Sequence, residues 1–116
     1  MSVIIYHNPR CSKSRETLAL LEGKGIQPNI ELYLQKQYSV AELQQLADKL
    51  GITDIRQMMR VKDDLYQSLN LANSALTNAD LLEAISLHSA LLERPIVVNG
   101  DKAKIGRPPE SVLEIL

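Results

Sequence analysis

The chain opens on Val3-Ile4-Ile5-Tyr6, an unbroken apolar run dominated by β-branched residues. A strand that leaves one face wet alternates apolar and polar residues, whereas a continuous run must be covered on both faces. The run therefore predicts a central strand in a sheet sandwiched between helices. The chain turns at Asn8-Pro9, and from Ser12 to about Glu22 the residues favour a helix with Leu18 and Leu21 on one face, stopped by Gly23 and Gly25. After Pro28, residues Asn29 to Tyr33 alternate, Ile30 and Leu32 one way and Glu31 and Tyr33 the other, which reads as a second strand. Strand, helix and strand form a βαβ unit.

Ser39 with Glu42 three residues on makes a capping box, and Leu43, Leu46, Ala47 and Leu50 recur at helical spacing until Gly51. Two shorter helical stretches are expected at about Asp54 to Met59 and Lys62 to Leu69. Another begins near Thr77 or Asn78 and carries Leu81, Leu82 and Ile85. Ile96-Val97-Val98 is strand-like, and Asn99-Gly100 is a strong hairpin signal leading into Ala103-Lys104-Ile105. Gly106-Arg107-Pro108-Pro109 breaks the strand, and Pro109 suits the first turn of a terminal helix bearing Val112, Leu113 and Leu116. The order predicts an α/β fold with a mixed four-stranded sheet, flanking helices and a helical insertion, as in the thioredoxin fold.

At 116 residues the chain suits one domain spanning residues 1–116. With 45% hydrophobic residues, it can build an ordinary core without disulfides or structural metal. There is no Trp or Phe to serve as a stacking platform, and the net charge of −1 gives no surplus of cations, so nucleic-acid binding is disfavoured. The N-terminus lacks a basic leader, and its apolar run is far too short to cross a membrane; a cytoplasmic protein is expected. One cysteine and two distant histidines, His7 and His88, match no usual zinc spacing.

That cysteine, Cys11, follows the loop His7-Asn8-Pro9-Arg10 at the start of the first helix. Unpaired backbone N–H groups and the helix dipole stabilise negative charge there, so the thiol's pKa is expected to fall and the reactive thiolate to form. Arg10, Lys13 and Arg15 add positive potential, although cations in a first turn oppose the helix dipole. The bland alternative is a buried structural cysteine, against which the polar neighbours argue. The same helix start suits an anion, and arginine forks are the natural partners for a dianionic oxyanion. Arg60, Arg94 and Arg107 all stand at expected element ends, from which they can face one cleft. Singly, each would by default be a solvated surface residue. His7 either caps the loop or helps to activate Cys11. Asn8 and Ser14 are suited to holding the loop by side-chain hydrogen bonds to backbone, and Met58 and Met59 read as core filler.

His7-Asn8-Pro9-Arg10-Cys11-Ser12-Lys13-Ser14-Arg15 resembles the cysteine loop of the glutathione- and glutaredoxin-coupled arsenate reductases. Glu93-Arg94-Pro95-Ile96-Val97-Val98 and Gly106-Arg107-Pro108 resemble that family's later signatures, and the likeness covers nearly the whole chain. Longer members of the family continue past the position of Leu116. The resemblance implies a thioredoxin-like fold and a Cys11 nucleophile, with His7 assisting its activation. It also implies that Arg60, Arg94 and Arg107 bind and stabilise arsenate or a similar small oxyanion, and it favours a cis bond before Pro95. No bound cofactor is expected; glutathione would be a co-substrate and glutaredoxin a partner. Reduction of arsenate takes two electrons, and a chain with one cysteine has to draw them from an outside thiol. Two other readings fit a lone cysteine on this fold. One is a non-catalytic adaptor, although Ser14 stands where redox-sensing relatives place a second cysteine. The other is a glutathione-dependent thiol transferase, which has no use for three arginines.

Overall fold

A computed structural model describes residues 2–116. The opening run forms strand β1 (Val3–Tyr6) at the interior of a four-stranded sheet of order β2-β1-β3-β4, with β2 at Asn29–Glu31, β3 at Ile96–Asn99 and β4 at Lys102–Ile105. β1 pairs parallel with β2, Ile5 opposite Ile30. It pairs antiparallel with β3, Ile5 opposite Val97, and β3 pairs antiparallel with β4. The mixed sheet is the expected one, with the parallel pair joined by helix α1 (Ser12–Gly23) and the hairpin turning at Gly100, whose φ is +64°.

Alternate residues of β1 and β3 enter two separate cores, which explains why neither strand alternates in polarity. Val3, Ile5 and Val97 pack with Leu21 of α1 and Val112 of the C-terminal segment. Ile4, Tyr6, Ile96 and Val98 face the opposite way, into a larger core built by the insertion. That insertion contains α2 (Val40–Leu50), α3 (Asp64–Ser68) and α4 (Asn78–Leu87). At α2 the capping box is complete: the Glu42 N–H donates to Ser39 Oγ (3.1 Å) and the Ser39 N–H to Glu42 Oε1 (3.0 Å). Gly51 closes the helix at φ +72°. Thr77 and Asp80 form a second reciprocal cap, which settles the start of α4. Met58 and Met59 are buried core residues.

Several elements are shorter or tighter than expected. β2 ends at Glu31, and Tyr33 lies instead in a 3-10 turn, Tyr33–Gln35, with its ring buried in the larger core. The Asp54–Met59 stretch is a 3-10 turn at Ile55–Met58, after which Met59 is extended and bridges Leu92. The C-terminal helix is also 3-10, Pro109–Ile115. Arg94–Pro95 is cis, as is Arg107–Pro108, which carries no separate signal in the chain. No helix among the described residues is long and apolar enough to cross a membrane.

Candidate active site

The loop after β1 is fixed largely by its own side chains. The His7 N–H continues the parallel ladder to the Glu31 carbonyl at 2.9 Å. Its ring is buried, with Nδ1 2.7 Å from Ser14 Oγ. That hydroxyl, fully buried on α1, also accepts the Asn8 N–H at 3.0 Å. Asn8 Oδ1 accepts the Arg10 N–H (3.0 Å), the Asn8 carbonyl accepts the Cys11 N–H (3.0 Å), and Arg15 Nη1 donates to the Pro9 carbonyl (2.9 Å). Asn8 and Ser14 thus anchor the loop as expected of such side chains. Arg15 thereby helps to hold the loop.

Cys11 is left at the N-cap of α1, in extended conformation and partly exposed. Burial pushes its thiol pKa up, but the opposing influences prevail and the pKa is lowered. They are the Ser14 backbone N–H, the Arg94 guanidinium, the Lys13 backbone N–H and the Arg107 guanidinium. The two N–H groups act as dipoles aimed at the sulfur, and neither closes to a capping hydrogen bond. The cations come from across the chain and not from the neighbouring side chains that the local sequence suggests: Lys13 Nζ turns to Glu16 at 3.5 Å. Arg107 Nη2 reaches Cys11 Sγ at 3.7 Å.

His7 makes no hydrogen bond to Cys11 among the described residues; it touches Ser14, whose N–H faces the sulfur. Its own pKa is lowered, first by burial and then by Arg15, so the ring is neutral near pH 7. Among the described residues His7 thus reaches the thiol's surroundings through the Ser14 side chain.

The three arginines converge because distant segments are stitched together. The Glu93 N–H donates to the Met58 carbonyl and the Arg60 N–H to the Leu91 carbonyl, both at 2.8 Å, around the Met59–Leu92 bridge. This short antiparallel contact sets Arg60 beside Glu93 and Arg94. Arg107 Nε donates to the Arg94 carbonyl at 2.8 Å, which fixes the third arginine on the same rim. Arg60, Val61, Lys62, Asp63, Glu93, Arg94 and Arg107 line a cleft of about 390 Å³. Four basic and two acidic side chains leave it a surplus of positive charge. Cys11 is not part of that lining; Arg107 links the thiol to the cleft.

Nearby Arg56 shows what a structural arginine does in this fold. Its guanidinium is spent on the Tyr66 hydroxyl (3.1 Å) and the Leu71 and Asn73 carbonyls (3.0 and 2.9 Å). Among the described residues the Arg60 guanidinium has only Asp63, at 3.6 Å. Two buried donors, the Tyr33 hydroxyl and Arg94 Nε, find no hydrogen-bond partner among the described residues. Burial raises the Tyr33 pKa against the pull of Arg94 and Arg60, with Cys11 and Glu93 also close enough to act on it. Unspent buried donors are costly; Arg94 belongs to the cleft lining, and Tyr33 lies close enough to Arg94 and Arg60 to feel their charge. Neither Tyr33 nor Glu93 stands out in the chain as a site residue. Tyr33 reads there as one more alternating strand position, and Glu93 as part of a motif whose chemistry is carried by its neighbour. Among the described residues no cluster of three or more His, Cys, Asp or Glu side chains is placed to hold a metal.

A family model described as the ArsC family matches residues 6–115. An arsenate reductase of Haemophilus influenzae is 79% identical over 116 residues, covering 100% of both chains. An arsenate reductase of Escherichia coli is 39% identical over 115 residues, 99% of this chain and 81% of that one. Among solved structures, an arsenate reductase from Vibrio cholerae superposes with a TM-score of 0.97 at 56% identity, covering 100% of this chain and 98% of the other. A matched span running from the end of β1 to the penultimate residue takes in the cysteine loop, the arginine cleft and both sheet edges, and on this ground the chain belongs to the ArsC family.

Proposed function

We propose that the protein is an arsenate reductase that takes its electrons from glutathione, with glutaredoxin resolving the disulfide. The observation that carries the reading is the 3.7 Å approach of Arg107 to the Cys11 sulfur, on the rim of a cleft that Arg60 and Arg94 also line. A thiolate stabilised this way meets an anion held by planar forks that donate paired hydrogen bonds. Cys11 sulfur attacks arsenic in dihydrogen arsenate, an As–O bond breaks, and the oxygen leaves as water with the two protons it needs. The arginines offset charge on the remaining oxygens as the bond forms. A glutathione thiol then attacks the adduct: arsenic(V) takes up two electrons and leaves as arsenite, the Cys11 and glutathione sulfurs end as a mixed disulfide, and glutaredoxin, itself reduced by further glutathione, returns Cys11 to the thiol by exchange. With no second cysteine in the chain, the reductant has to come from outside. A glutathione-dependent enzyme belongs in a reducing compartment, the cytoplasm.

The test is arsenite production from arsenate with glutathione and glutaredoxin. Wild type turns over, Cys11→Ser is inactive, and Arg60→Ala, Arg94→Ala and Arg107→Ala each fall by roughly 10²-fold or more, as loss of one preorganised donor does elsewhere. A wild-type protein that makes no arsenite yet still transfers glutathione to proteins would replace this reading with the transferase.

A further inference from the structure

We propose that Glu93 reads the protonation state of the oxyanion: its carboxylate accepts a hydrogen bond from a hydroxyl of the bound anion, admitting protonated arsenate and turning away sulfate. The proposal rests on the reductase reading of the cleft and adds to it the origin of substrate choice.

Glu93 lines the cleft that the three arginines line. Its Oε1 lies 3.1 Å from Arg94 Nη1 and 3.2 Å from Arg107 Nε, and also accepts the Arg94 N–H at 3.3 Å. All of these contacts arrive at Oε1, that of Arg107 Nε as an ion pair, since its N–H is given to the Arg94 carbonyl. An ionised carboxylate has about four acceptor sites over its two oxygens, so Oε2 keeps capacity for a donor from a ligand. Neither guanidinium is exhausted: Arg107 Nη2 faces Cys11, and Arg94 Nε has no partner. An anion held by these arginines therefore sits against a carboxylate, and what that contact is worth depends on whether a proton lies between them.

At neutral pH arsenate still carries a proton and sulfate carries none. A hydroxyl on arsenic donates a charge-assisted hydrogen bond to Glu93. A bare sulfate oxygen at the same place sets acceptor against acceptor and charge against like charge. A site built around one hydrogen bond rejects the analogue that cannot make it more strongly than a site relying on shape. If Glu93 only held Arg94 and Arg107 in place, its replacement would weaken both anions alike, so the ratio of the two affinities separates the roles.

The experiment measures the alkylation rate of Cys11 by iodoacetamide in the full chain at neutral pH and constant ionic strength, titrated with sodium arsenate or sodium sulfate without any other thiol. In wild type, half-protection is expected at a roughly tenfold or greater lower concentration of arsenate than of sulfate, the size of one charged hydrogen bond. In Glu93→Gln, whose amide can donate to sulfate, that ratio is expected to fall by about tenfold. Equal protection of the wild type by both anions would overturn the proposal without recourse to any variant. So would a wild-type ratio retained in a folded Glu93→Gln. Protection by neither anion would remove the anion cleft itself, and with it the reductase reading, an outcome distinct from both.

Discussion

Gly106→Ala isolates one close approach on which the position of Arg107 depends. A Cβ built at Gly106 lies 2.6 Å from Thr17 Oγ1, 2.8 Å from Pro95 Cγ and 3.2 Å from Thr17 Cγ2. Neither neighbour yields easily. Thr17 is fully buried, its hydroxyl donates to the Lys13 carbonyl at 2.8 Å, and the proline ring is held where the Gly106 N–H donates to the Pro95 carbonyl at 3.0 Å. Overpacking of this kind costs about 1–3 kcal/mol. For a chain of this size that lowers the melting temperature by roughly 4–12 °C, read by calorimetry at neutral pH. Thr17→Ala removes two of the three contacts, so the double variant should lose less than the sum of the singles, by about 1 kcal/mol. A Gly106→Ala protein melting within about 2 °C of wild type, or strict additivity with Thr17→Ala, would refute the claim that helix α1 excludes a side chain at this point.

Arg107→Ala should move the midpoint of the Cys11 alkylation–pH profile upward. Arg94→Ala should move it further, because Arg94 acts on the thiol more strongly than Arg107 does; an unchanged or lowered midpoint would mean that neither guanidinium holds the thiolate. His7 has a folded pKa below its ordinary value of 6.5, so between those two values the unfolded chain binds more protons and stability rises with pH. Wild type should therefore lose stability relative to His7→Gln as pH falls from 7 through the ordinary histidine range, and parallel melting curves for the two would contradict a buried neutral ring. Tyr33→Phe deletes a buried hydroxyl without a protein partner and should leave stability unchanged or slightly raised. A loss above about 1 kcal/mol by denaturant titration would reveal a hydrogen bond in solution.

The sheet was legible because strand and turn chemistry are local. The continuous runs at Val3–Tyr6 and Ile96–Val98 announce two covered faces, and the Asn99-Gly100 signal marks the hairpin, although Asn99 stays in β3 opposite Lys102 and the chain turns one residue later, at Gly100-Asp101. Helix α2 was legible for the same reason, its cap and its αL glycine both being encoded within a dozen residues. What misled was periodicity over short spans. Asn29 to Tyr33 alternates in polarity, yet Tyr33 leaves the strand because its ring is drawn into the insertion core. Met58 and Met59 look like the end of a helix, yet the chain straightens there to pair with Leu92.

That last departure is also why the arginine cleft could be suspected from the chain but not built from it. Position at an element end made Arg60, Arg94 and Arg107 candidates, while Arg56, four residues before Arg60, lies inside the expected Asp54–Met59 stretch. What separates them is where each guanidinium is spent. Arg56 caps two carbonyls and a phenol inside the insertion, while Arg60 follows the isolated Met59–Leu92 bridge, which sets it toward Arg94. The thiol follows the same logic. Its helix-end dipole was visible locally, but the guanidinium in contact with the sulfur arrives from 96 residues away, on a loop that the missing side chain at Gly106 allows to lie close to α1. Ionisation of Cys11 thus draws on tertiary contacts as well as on the N–H groups of its own helix, so substitutions at the Gly106–Thr17 contact should alter it although neither residue touches the sulfur.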